Sequence, residues 1–341
     1  MKDIVISADS HVMEPLDLWE SSLSRRFGDQ VPRVVKNYEG HPGTFFFAGR
    51  EAFRIDDSVD AERAQREQEL KDAGDNPSER LRLMDKERIA AEVLNPTKGL
   101  LIPRIPNREL RKACASVMND WLIEHCSQDT KRLVGVALIP IEDVSWAIAE
   151  LKRVVGRGMK GVMIGLYPED GAPPYRSPVY DPFWAAVQEM DIPLTLHIVA
   201  GRVRDPGTYH GESISEAPAA FIELFNEGAP VLANEFIFGG ILDRFPRLKL
   251  LLSEFDASWL PIFRYRIKRI QRFAGLQKLK RPAEQYLAEN VHAAFINDPL
   301  VCAYRHDIGL DRLMWGSDFP HPPCPYPDMR QRLDAEILVD L

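Results

Sequence analysis

Three short stretches of this chain gather side chains able to bind a metal or move a proton. ISADSHVMEP carries Asp9, His11 and Glu14, LTLHI carries His197, and MWGSDFPH carries Asp318 and His321. Imidazole and carboxylate together form a mixed nitrogen and oxygen donor set, suited to Zn²⁺, Mn²⁺ or Fe²⁺ rather than Mg²⁺ or Ca²⁺. Such a cation lowers the pKa of a bound water from about 16 toward about 7, making hydroxide available at neutral pH. Singly, each residue has a plainer role. A lone His at a strand end is commonly a hydrogen-bonded structural residue, and an Asp before a turn commonly caps a helix or closes an Asx turn. Glu14, just before Pro15, divides evenly between a third site carboxylate and a turn contact.

The elements that must position these residues are short apolar runs alternating with amphipathic, helix-like segments, the pattern of repeated βα units. The strands expected are Ile4–Ala8, Ala91–Asn95, Leu133–Ile139, Gly161–Leu166, Leu194–Ile198, Leu248–Ser253, Val291–Phe295 and Leu313–Gly316. Between them helices are expected over Arg108–Cys126, Val144–Val155, Pro182–Met190, Ala217–Leu242 and Trp259–Phe273, with a short one around Pro299–His306. Eight strands with intervening helices favour an α/β fold closed as a (β/α)8 TIM barrel, whose active site lies at the C-terminal strand ends. There the candidate residues fall: Asp9 and His11, two apart, share a face if the first strand stays extended, His197 ends the fifth, and Asp318 follows the eighth. That joint placement is what favours ligation over the plainer roles. No Gly-rich dinucleotide fingerprint follows the first strand, which argues against an open nucleotide-binding sheet. Residues 17–80 break the rhythm as an insertion within one domain of 1–341, with a Phe45–Phe47 triplet and then a charged run expected to be a solvated helix or a flap.

Composition narrows the partners. A formal net charge of −8, without a Lys/Arg run, disfavours nucleic acid and leaves a small molecule as the expected partner. No apolar run approaches the roughly 20 residues of a membrane span, and the N-terminus lacks a signal-peptide core, so a cytoplasmic protein is expected. The cysteines 114, 126, 302 and 324 form no CxxC pair and are read as reduced thiols.

DSHVMEPLDLW, LHIVAG and MWGSDFPHP together resemble the amidohydrolase-related family, the aminocarboxymuconate semialdehyde decarboxylase-like branch of the amidohydrolase superfamily. RLVGVALIP, YDPFWAAVQEMDIPLTLH and RFPRLKLLLSE extend the likeness from Ile4 to about Pro327. The resemblance implies a distorted barrel with a divalent metal at its mouth, acting on a small, often carboxylated or aromatic substrate. Carried over residue by residue, it makes Asp9, His11, His197 and Asp318 the metal ligands, with Asp9 standing where the family more often has His or Glu. At the sixth strand the sequence reads LLSEFDASW, so Glu254 takes the place of a family His that serves as acid/base or hydrogen-bond donor. A carboxylate cannot donate as an imidazolium does unless burial raises its pKa, which weighs against decarboxylation by that route.

The leading expectation is therefore hydrolysis of a small amide, ester or lactone by metal-activated water, Asp318 or Glu254 taking the proton and His321 polarising the carbonyl. Non-oxidative decarboxylation of an aromatic or unsaturated acid stands second. With Glu14 and Glu254 as extra ligands the mouth has the carboxylates for two ions, and a non-haem iron or di-iron oxygenase is third. Zinc is the metal expected first, with manganese or iron as alternatives and one or two ions per chain. Arg202 and Arg204, just past His197, are candidate anchors for a substrate carboxylate. The usual C-terminal helix of the family is not evident in DMRQRLDAEILVDL, and apolar surface left there makes a homodimer the weak expectation.

Overall fold

The computed structural model describes residues 4–49, 51–55, 61–201, 218–273, 279–321 and 324–337. Eight parallel strands, β1 (Val5–His11), β5 (Ile89–Asn95), β6 (Leu133–Leu138), β7 (Gly161–Met163), β8 (Leu194–His197), β9 (Leu250–Ser253), β10 (Val291–Phe295) and β11 (Leu313–Trp315), pair in that order. Helices on the outside cover them, so both faces of most strands are buried and the sequence runs continuously apolar, as in LLLS of β9. Along β8 and β9, His197 is level with Ser253 and Thr195 with Leu251, the residues of alternate parity facing the outer helices. A small cluster of Ala8, Leu251 and Ala294, with Met314 against it, is separate from the main core and fills the barrel interior.

The barrel closes where β1 meets β11. Ser317 donates its backbone N–H to Ser7 Oγ at 2.9 Å, Asp318 N donates to Asp9 O at 2.9 Å, and His11 N donates to Phe319 O at 2.6 Å. The approach is so close that a Cβ on Gly316 would lie 2.5 Å from Asp9 Cβ, which requires glycine in MWGSD. β1 is longer than the expected Ile4–Ala8, and its register against β5 shifts between Ser7 and Ser10. Such an irregularity re-aims the side chains beyond it.

The insertion after β1 is built on its own small sheet. The helix Leu18–Phe27 is followed by antiparallel strands β2 (Arg33–Tyr38), β3 (His41–Ala48) and β4 (Glu51–Arg54), then by helices Ala61–Asp75 and Pro77–Glu87. Phe45 and Phe46 are buried, Phe46 packing on Trp19 with ring centroids 5.6 Å apart. They act as core. The last helix starts at Asn76, whose side chain accepts from Ser78 N and Glu79 N, with Pro77 in the first turn. It delivers Arg80 into the seam: Nε donates to Glu92 Oε2 at 2.5 Å, one terminal nitrogen to His11 O at 2.5 Å, and the other to Phe319 O at 3.3 Å.

Two expected elements are interrupted. The helix expected over Ala217–Leu242 divides, from Pro218 on, into helical turns Pro218–Asn226, Gly228–Val231, a π turn Leu232–Ile237 and Ile241–Arg244. Pro230 withholds a backbone donor there, and Gly240 turns left-handed at φ 79°. The strand at Gly161 stops at Met163 instead of Leu166. Among the described residues no helix is long and apolar enough to cross a membrane.

Removing Arg80 would leave Glu92, 1% exposed, as a buried charge without its partner. Arg80→Met is expected to cost about 3–5 kcal/mol in urea unfolding, and Arg80→Met with Glu92→Leu to recover much of it. A loss under ~1 kcal/mol in the single variant would show that the pair does not hold the seam.

Candidate metal centre

β1 carries both of its candidates into the interior: Asp9 and His11 are fully buried. His11 is fixed by its Nδ1, 2.9 Å from Pro96 O. A carbonyl only accepts, so Nδ1 holds the proton and Nε2 presents a lone pair. His197, at the end of β8, is fixed the same way, Nδ1 lying 2.8 Å from Ile198 O. The two Nε2 atoms then face each other at 3.0 Å, each 3.6 Å from Asp9 Oδ1. Asp318, just past β11, places Oδ1 3.5 Å from His11 Nε2 and 2.8 Å from His321 Nδ1.

Two opposed lone pairs at hydrogen-bond distance need a positive centre shared between them. Asp9 Oδ2 and Asp318 Oδ2 are also buried without a hydrogen-bond partner, a costly state for a carboxylate oxygen unless a cation completes it. The donor atoms of Asp9, His11 and His197, and those of His11, Asp318 and His321, lie within 4.8 Å of one another. Two imidazoles and two carboxylates in this arrangement fit a divalent metal.

Burial and mutual proximity set the charge tendencies of the cluster. Burial, followed by His321 and His197, holds the His11 imidazole well below its usual range. Burial also pulls His197 down, but the Asp9 carboxylate outweighs it and the net direction is up. Burial pushes Asp318 up against the opposing pull of His321. Glu254 is pushed well up by burial, then by Asp318, Asp9 and Asp256.

The other candidates divide. Glu254 comes to the rim, Oε2 3.5 Å from His197 Nε2, on backbone held left-handed at φ 67°. Asp318 and Val199 share that conformation, at φ 53° and 68°, each just beyond a barrel strand. For a β-branched residue this is a strained state, maintained only by surrounding structure. Glu14 is placed elsewhere, which corrects its reading as a ligand. Its carboxylate accepts from the backbone N–H groups of Thr97, Lys98 and Gly99 at 3.1, 3.0 and 2.9 Å, capping the 3-10 helix Lys98–Arg104. Both oxygens are thus committed to amides. Arg202 and Arg204 lie outside the described residues. Cys324 is buried.

Sequence reasoning passed over Asn95 and Thr97. Asn95 Nδ2 donates to Asp9 Oδ1 at 2.8 Å, and Thr97 Oγ1 is 2.9 Å from His321 Nε2. The signal was available, because Asn95 is the polar residue that closes β5, the same rule that singled out the others.

His197→Ala and Asp9→Asn are expected to abolish stoichiometric Mn²⁺ uptake in equilibrium dialysis, whereas Glu14→Gln should keep the metal while losing about 1–3 kcal/mol of stability. Metal loss in Glu14→Gln without loss of stability would reverse that assignment. Beyond the cluster, burial and then Asp298 push the Asp256 carboxyl from its ordinary 3.8 to about 6. A raised folded-state pKa favours folding below the unfolded value and loses that contribution as pH rises through the folded one. Asp256→Asn is therefore expected to raise Tm relative to the parent more at pH 7.5 than at pH 4. An equal difference at both pH values would contradict the shift.

A family model described as Amidohydrolase matches residues 38–340. Gamma-resorcylate decarboxylase of Rhizobium radiobacter is 29% identical over 253 residues, 71% of this chain and 76% of that protein. Among solved structures, an amidohydrolase of Mycobacterium avium subsp. paratuberculosis superposes with a TM-score of 0.77 at 20% identity, covering 98% of this chain and 93% of that one. A dihydroxybenzoic acid decarboxylase of a Polaromonas species, with bound manganese and the inhibitor 2-nitroresorcinol, has a TM-score of 0.69 at 20% identity, covering 98% and 91%. With the family model spanning most of its length and the same barrel in its structural neighbours, this chain belongs to the amidohydrolase family.

Proposed function

We propose that this enzyme is a divalent-metal-dependent, non-oxidative decarboxylase of a small aromatic carboxylic acid. The observation that carries the choice is the likeness to gamma-resorcylate decarboxylase across 71% of this chain and 76% of that protein. It reverses the order of the sequence-based expectations, which placed hydrolysis first. The objection to decarboxylation was that Glu254 cannot donate as an imidazolium does. Burial and neighbouring carboxylates push its carboxyl up, the direction in which it can donate, while a bound cation would oppose that push.

Asp9, His11, His197 and Asp318 would hold the metal, and manganese, present in the Polaromonas neighbour, replaces zinc as the ion favoured. When bound, the divalent ion supplies Lewis-acid stabilisation of negative charge on the substrate oxygens. The remaining work is proton handling. Asp318 is buried to 1% exposure while its partner His321 is 21% exposed, so the pair links the interior of the cluster with its outer edge. A solvent proton would pass through the His321–Asp318 pair to the ring carbon that bears the carboxylate. The bond from that carbon to the carboxylate then breaks, its electron pair returns to the ring, and CO₂ leaves. Glu254, at the rim with Oε2 3.5 Å from His197 Nε2, would provide a second acid on the β9 side. The two donor groupings share His11, which supports one ion and gives no support to the two-iron oxygenase reading.

The test is turnover of 2,6-dihydroxybenzoate and related hydroxybenzoates by the manganese-loaded protein. CO₂ release with one solvent deuterium placed on the product ring in D₂O is expected, and Asp318→Asn should lower kcat by about 10²–10⁴-fold. Incorporation of ¹⁸O from water into a cleaved amide, ester or lactone, without CO₂ release from any aromatic acid, would restore the hydrolase reading.

A further inference from the structure

We infer that Asn95 and Thr97 are positioning residues that fix the rotation of the cation's two carboxylate ligands. The inference rests on the metal-dependent reading above. β5 supplies none of the four candidate ligands, yet its end and the residues after it reach three of them. Asn95 Nδ2 holds Asp9 Oδ1, Pro96 O holds His11 Nδ1, and Thr97 Oγ1 meets His321 Nε2, whose Nδ1 holds Asp318 Oδ1.

Each carboxylate is thereby tied at one oxygen while the other is buried without a hydrogen-bond partner. A carboxylate with a single side-chain tie turns about its Cβ–Cγ bond once that tie is cut, and its lone pairs no longer converge with those of the facing imidazoles. For Asp318 the tie has two steps. The Asp318 carboxylate oxygen accepts from Nδ1–H and so sets the tautomer; in the neutral ring Nε2 then accepts from the Thr97 hydroxyl, which holds the ring in the orientation that grips Asp318.

Thr97 separates this role from simple support of the loop. Its backbone N–H goes to Glu14, as do those of Lys98 and Gly99, so the loop keeps its anchor when the hydroxyl is lost. Thr97→Val removes only the hydroxyl, and Thr97→Ser restores it. Thr97 is also half-buried, which limits the cost of the exchange to folding.

The experiment titrates Mn²⁺ into chelator-stripped protein and follows free Mn²⁺ by electron paramagnetic resonance, with Tm of the metal-free form measured alongside. The parent is expected to bind one Mn²⁺. Thr97→Val and Asn95→Leu should bind it about 10–100-fold more weakly and Thr97→Ser within about threefold of the parent, the usual range for groups that orient a ligand. Unchanged affinity in both Thr97→Val and Asn95→Leu overturns the inference, as does Thr97→Ser as weak as Thr97→Val. The Thr97 pair decides the matter should Asn95→Leu not fold. A parent that binds no stoichiometric Mn²⁺ overturns the metal-dependent reading and this inference with it, whereas failure of the variants alone leaves that reading standing.

Discussion

The site is organised by two imidazole nitrogens held 3.0 Å apart with their lone pairs opposed. Neither ring can turn away, because each commits its other nitrogen to a backbone carbonyl, Pro96 O for His11 and Ile198 O for His197. The arrangement is unfavourable until a positive centre sits between them. The neighbouring carboxylates of Asp9 and Asp318 strengthen the demand, since each keeps one buried oxygen without a partner. Folding energy from the surrounding barrel is what holds these groups in a state that a cation relieves.

That support converges on the seam between β1 and β11. Asp9, His11 and Asp318 all lie on it, and the backbone bonds that close the barrel run directly between these residues and their neighbours. Gly316 permits the approach, and Arg80 reaches across from the insertion to grip His11 O and Phe319 O. The described residues of the insertion thus touch the candidate centre through the backbone of the seam and include none of the four candidate ligands. A change in its last helix would be felt at the site through two carbonyl groups of the seam.

β5 plays a comparable part on the other side. In a parallel barrel every strand ends at the same face, so a strand without a candidate ligand still places its closing residues among the candidates. Asn95, Pro96 and Thr97 occupy that position. The same geometry separates Glu14 from the site it adjoins, because the amides of the turn after β5 take both of its oxygens.

The chain's own order of residues was enough to establish the barrel and the clustering of its acid and imidazole groups. Eight apolar runs can be read by eye, and Asp9, His11, His197 and Asp318 stand at the ends of three of them, a local property that survives without coordinates. What sequence spacing could not decide was which way each carboxylate is held. Glu14 and Asp9 are five residues apart on one segment, yet one meets backbone amides and the other meets imidazoles. The difference comes from residues 95–99, more than eighty positions away. The protonation tendency of Glu254 was equally out of reach, since it depends on burial and on Asp318, Asp9 and Asp256 packed around it. Residue type gave the donors, while long-range packing determined their orientation and charge, because hydrogen-bond partners and dielectric surroundings are properties of the folded neighbourhood.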